Sequence, residues 1–131
     1  MGRLNQIDLR GTTSAGGAAS IVTSGPHFGY LYAVEWVDGD LANGVDATLK
    51  VTSRHSAVDR TLLTLTDADS DAFYYPREQV HNNAGAGLDY NDESDEPVET
   101  LPLIDGELTC TIASGGDTKT GGMIVTIING N

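Results

Sequence analysis

Between residues 30 and 128 the chain repeats one pattern: a short run of β-branched, aromatic or aliphatic residues, then a cluster of Gly, Asp, Asn or Pro. Runs this brief, with no sustained 3.6-residue apolar period, favour strands over helices. The best-defined run is Tyr30-Leu31-Tyr32-Ala33-Val34-Glu35-Trp36-Val37. Simple alternation puts Tyr30, Tyr32, Val34 and Trp36 on one face and Leu31, Ala33, Glu35 and Val37 on the other. Both faces are largely apolar, which predicts a central strand. Asp38-Gly39-Asp40 then supplies a turn.

Residues 46–52 alternate with Ala47, Leu49 and Val51 inward, the pattern of a strand with core on one side and water on the other. Residues 61–66, 107–113 and 123–128 complete the clear strands. Asn5 to Arg10, Ala19 to Thr23 and Phe73 to Val80 are further candidates, with Pro76 splitting the last or confining it to an edge. Ser114 to Gly122 holds four glycines and fits a hairpin or a longer loop. A short helix at Ala15 to Ala19 is disfavoured by its glycines. About eight short strands at such intervals predict an all-β, antiparallel, jelly-roll-like β-sandwich. The chain is expected to form one domain over residues 1–131, with an extended amino-terminal arm at 1–12 and an acidic loop at 89–99.

The formal charge is −12, from 7 basic and 19 acidic residues. That balance argues against a nucleic-acid groove, where Lys and Arg must neutralise phosphates, and against docking on anionic lipid. Six of the acids fall between Asp89 and Glu99, where mutual repulsion favours an exposed loop. Cys110 is the only cysteine, and its alternation with Leu108 and Ile112 predicts a buried structural thiol. The start, MGRLNQIDLRG, has no long apolar stretch, and Gln6 stands where a myristoylation signal needs Ser or Thr. Secretion through a signal peptide is not expected from these features.

The sharpest chemical motif is Asp67-Ala68-Asp69-Ser70-Asp71. Carboxylates at alternate positions can converge on a calcium ion, and Glu78 falls at the twelfth position of such a loop. Ala72 occupies the sixth position, where that loop needs Gly, and the flanks read as strand. An acidic turn is the preferred reading, with Asp67, Asp69, Asp71 and Glu78 kept as a calcium candidate. His27, His55 and His81 are scattered among polar segments, without a zinc pattern or a nucleophile elbow. The glycine-rich stretches lack the Gly-Lys-Ser/Thr ending of a phosphate loop. Paired carboxylates of the kind a glycosidase uses arise by chance among so many acids. Nothing here points to an enzyme.

Binding is better served. Phe73-Tyr74-Tyr75-Pro76-Arg77 concentrates aromatics beside an arginine, a composition enriched at interface hot spots. If alternation governs, some of these side chains fill the core instead. The arm residues Arg3, Leu4 and Ile7 are a second candidate contact, because an extended arm can add a strand to a neighbour's sheet.

The runs Leu31-Tyr32-Ala33-Val34-Glu35-Trp36, Gly44-Val45-Asp46-Ala47 and Thr61-Leu62-Leu63-Thr64-Leu65-Thr66-Asp67-Ala68 resemble small proteins encoded among the head genes of tailed bacteriophages and prophages. So do Tyr75-Pro76-Arg77, Pro102-Leu103, Gly106-Glu107-Leu108 and Gly115-Gly116-Asp117-Thr118-Lys119-Thr120-Gly121. The likeness covers most of residues 30–128 and leaves out the first 29 residues and the acidic segment. It implies a virion structural protein and brings no active site with it. A capsid decoration, or cement, protein is the leading expectation: a chain made in the host cytoplasm that sits on the capsid surface. Its partners would be the major capsid protein and copies of itself, as in a trimer. A head fibre base or neck component is the alternative within the virion. A calcium- or carbohydrate-binding β-sandwich module is the alternative of another class.

Overall fold

The alternating segments of the sequence become ten strands and, among the described residues, no helix. The structure, a computed structural model, describes residues 2–91 and 96–129. The strands are β1 (Arg3–Thr12), β2 (Ala19–Val22), β3 (His27–Val37), β4 (Asp46–Ser53), β5 (Asp59–Leu65), β6 (Ala72–Tyr74), β7 (Glu78–Gln79), β8 (Glu99–Thr100), β9 (Leu103–Ala113) and β10 (Thr120–Asn129). Eight belong to one antiparallel sheet of order β1-β10-β3-β9-β4-β5, with β2 beside β9 and β6 beside β3. β7 and β8 pair separately.

The large sheet doubles over at β3. Its first residues, His27 to Tyr30, pair with β9, while Tyr30 onward pairs with β10 and Val34 to Trp36 with β6. One layer is therefore β6-β3-β10-β1 and the other β2-β9-β4-β5. They face each other closely: Gly11 of β1 lies against the Ile21 side chain of β2, and a Cβ there would collide with it. The result is the all-β antiparallel sandwich expected from the sequence. Leu9, Leu31, Val34, Trp36 and Met123 from one layer meet Leu49, Val51, Ile104, Leu108 and Ile112 from the other in a single core. Trp36 is fully buried, and its indole N–H donates to the Ala68 carbonyl at 2.9 Å, so its polar end is not left unpaired.

Two expectations are corrected and one open alternative is decided. β3 does not keep one alternation. Thr126 pairs with Ala33 and Ile127 with Leu31, so Tyr32 is an extra residue, a β-bulge. The bulge exchanges the faces: Leu31 points inward before it, Val34 and Trp36 after it, and Tyr30 and Tyr32 turn out to solvent. The glycine-rich segment after β9 is not a hairpin, because β9 and β10 lie in opposite layers. It is the longer loop, and Thr13 clamps it: the Thr13 hydroxyl donates to the Gly116 carbonyl at 2.6 Å and accepts the Lys119 N–H at 2.9 Å. Finally, residues 3–12 are no free arm. All ten pair with β10, because alternate apolar side chains such as Leu9 bury against the core and anchor the strand.

Pro76 divides residues 73–80 as expected, with β6 before it and β7 after it. From there to Leu101 the described residues lie outside the eight-stranded sheet. Asp89 to Asn91 and Glu96 to Glu99, the described parts of the acidic segment, are exposed apart from Val98. Asp92, Glu93 and Asp95 lie outside the described residues.

Candidate functional site

The outer face of the β6-β3-β10-β1 layer carries an unusual set of side chains. Phe28, Tyr30 and Tyr32 alternate along the first half of β3, with Leu31 buried between the tyrosines. Beyond the bulge Phe73 lies opposite Glu35, and Tyr75 follows it out of β6. These five aromatics are each between 43% and 62% exposed, and Leu103, paired with Tyr30, adds another exposed apolar side chain. Tyr32 and Tyr75 meet edge to face, with ring centroids 6.4 Å apart and planes at 83°. That geometry suits the ring quadrupoles and orders both side chains before any partner arrives.

The bulge is what assembles this surface. Without it Tyr30 and Tyr32 would share a face with Val34 and Trp36, half of them buried. With it the aromatic half of β3 and the two outward residues of the β6 segment point the same way. Arg77 closes the margin: its guanidinium donates to the Tyr32 carbonyl at 3.2 Å and to the Pro76 carbonyl at 2.7 Å. It braces the β3–β6 corner through backbone carbonyls.

Of the sequence-derived contact residues, Phe73, Tyr75 and Arg77 belong to this surface. Tyr74 is half-buried against the core, so it is the inward member of the aromatic run. Leu4 is 68% exposed on β1, two strand spacings from Tyr30, roughly 10 Å across the sheet, with Ile128 between them in one row. Arg3 is exposed beside it, whereas Ile7 packs against the core. The structure therefore sets Leu4 in the same cross-strand row as Tyr30 but three strands from Phe73, and turns Ile7 to the core. Sequence reading missed Phe28, Tyr30, Tyr32 and Leu103. The available signal was an aromatic at every second position from 28 to 32.

The acidic turn has a structural role. The Asp69 carboxylate accepts the Gly44 N–H at 2.7 Å, Asp71 accepts the Asp38 N–H at 2.8 Å, and Asp46 accepts the Asp67 N–H at 3.0 Å. Two carboxylates of the alternating run thus cap loop amides, Asp46 of β4 caps a third, and Glu78 sits apart on β7. Among the described residues no three His, Cys, Asp or Glu side chains converge in a metal-holding arrangement. Asp38 is the uneasy member: burial, then the nearby charges of Asp71 and Asp69, raise its pKa, and its Oδ1 has no hydrogen-bond partner. Cys110 is buried, and burial pushes its thiol up to about 12. A thiol held neutral in this way is a packing group.

No family model, curated protein or solved structure matches the chain.

Proposed function

We propose that the chain is a binding protein of a virus particle, a capsid decoration protein whose aromatic face docks on the major capsid protein. One observation carries the reading: five solvent-facing aromatics on a single sheet face, two of them already packed together. Aromatic side chains bring large contact area for few rotatable bonds, which makes them favoured anchors at interfaces. The sandwich beneath holds them rigid, so little conformational entropy is lost on docking. The resemblance to head-gene products supplies the setting, and the net charge of −12 keeps the remaining surface solvated.

The test is cosedimentation with purified capsids of the phage or prophage whose genome encodes the chain. The wild type is expected to saturate the shell. Phe73→Ser combined with Tyr75→Ser is expected to weaken binding at least tenfold, about 1.4 kcal/mol, with an unchanged melting temperature. Saturation by this double variant at wild-type concentrations would remove the aromatic face from the interface. Failure of the wild type to bind would sink the decoration reading.

A further inference from the structure

Among the described residues, β1 is the one long edge of the sheet that nothing interrupts. Its ten residues meet ten consecutive partners on β10, with no bulge and no proline. The other edges are blunted. β2 has four residues, β6 has three and runs into Pro76, and β5 is bent where Leu62 has no partner of its own between Thr61 and Leu63. Proteins shield long regular edges because unpaired N–H and C=O groups template another strand.

Which groups β1 offers can be read from its hydrogen bonds. The Arg10 N–H does not reach β10; it donates sideways to the Asp8 carboxylate at 3.0 Å. Thr13, an odd-numbered neighbour, donates toward Lys119 next to β10. Since successive residues of a strand alternate sides, the main-chain groups of Leu4, Gln6, Asp8 and Arg10 face the open edge.

We propose that this edge pairs antiparallel with β1 of a second copy, about a two-fold axis at Leu9. In that register Asp8 of each copy lies opposite Arg10 of the other. An axis through Asp8 would set that carboxylate against itself, and one through Arg10 would oppose two guanidinium groups. An axis through Ile7 would leave the two charges against Gln6 and Leu4. Like charges directly across a strand pair are destabilising and opposite ones favourable, so the Leu9 axis is the register selected. Arg10 already grips Asp8 within the chain, Nε to Oδ1 at 2.9 Å and Nη2 to Oδ2 at 2.7 Å. On pairing, each carboxylate exchanges its own Arg10 for the partner's, and no charge is stranded.

Charge also says why the occupant is a second copy at this edge. The chain as a whole repels itself at −12, but residues 3–12 carry Arg3 and Arg10 against Asp8 alone. Self-repulsion is therefore low where the open edge lies. The pairing joins two four-stranded layers into one continuous sheet with both aromatic faces on the same side, a bivalent surface whose avidity exceeds that of either face. The proposal uses the edge and not the face, so it stands independently of what the aromatics bind.

Sedimentation equilibrium of the wild type, of Asp8→Arg, of Arg10→Asp and of their equimolar mixture tests it. The wild type is expected to dimerise. Each variant alone sets like charges opposite each other and should weaken the dimer at least tenfold. The mixture should recover it, because two arginines of one copy then face two aspartates of the other. Melting curves confirm that each variant folds, and amide exchange at Gln6 and Asp8 in the wild type should slow as concentration rises. A wild type that stays monomeric, a mixture that stays monomeric, or variants that dimerise like the wild type would each overturn the proposal.

Discussion

The sandwich and the excursion from Arg77 to Thr100 are built from the same residue types and meet different fates. In β4 and β9 every second apolar side chain is buried, because a second layer stands across from it. In the excursion Val80, Leu88 and Val98 link in a ring of backbone bonds, Val80 N–H to Val98 O at 2.7 Å, Leu88 to Val80 at 2.8 Å and Val98 to Leu88 at 2.9 Å. No layer covers them, and Leu88 and Tyr90 stay exposed. Seven of the chain's 19 acids lie between Glu78 and Glu99. Among its described residues backbone hydrogen bonds link this segment, whereas burial holds the sandwich. The difference shows that apolar alternation stabilises a strand only where it has something to pack against.

The comparison is broken most severely by removing the deepest side chain. Trp36→Ala is expected to cost about 3–5 kcal/mol in urea unfolding, from lost burial and from the Ala68 carbonyl left without its donor. A loss as small as that of an excursion residue would mean the core is not where the stability lies.

Cys110 sharpens it next. The folded thiol ionises only at about 12, while an unperturbed one does so at 9.0. As pH rises between those values the unfolded state loses its proton first, so stability should fall across that window and be insensitive to this group below it. At neutral pH a thiol reagent should label Cys110 only through global opening, orders of magnitude more slowly than the urea-unfolded chain. Equal rates would place β9 among the loosely held segments.

The smallest effect is expected from Tyr90→Ala, within about 0.5 kcal/mol of wild type. Backbone amides of residues 82–91 should exchange far faster than those of β9. Matching protection in the two regions would erase the contrast.

Much of the fold was legible because alternation and turn chemistry are local. Ala47, Leu49 and Val51, and likewise Leu108, Cys110 and Ile112, are buried as their spacing predicts. Pro76 ends β6 because it has no N–H to give a ladder. The candidate site was half legible. Phe73, Tyr75 and Arg77 announced themselves by composition, but Tyr30 and Tyr32 were placed on the wrong face and Tyr74 did not join them.

What the sequence determined by itself is where strands begin and end and which of them alternate, since these depend on side chains a few residues apart. Three things were decided only by tertiary structure: the bulge at Tyr32, the crossing of residues 114–119 between layers, and the anchoring of residues 3–12 along β10. Each depends on which strand lies alongside. A bulge exists only as two residues set against one, so no single strand carries its signature. The aromatic face and the open β1 edge both follow from those pairings, for long-range partners decide which side of a strand meets water.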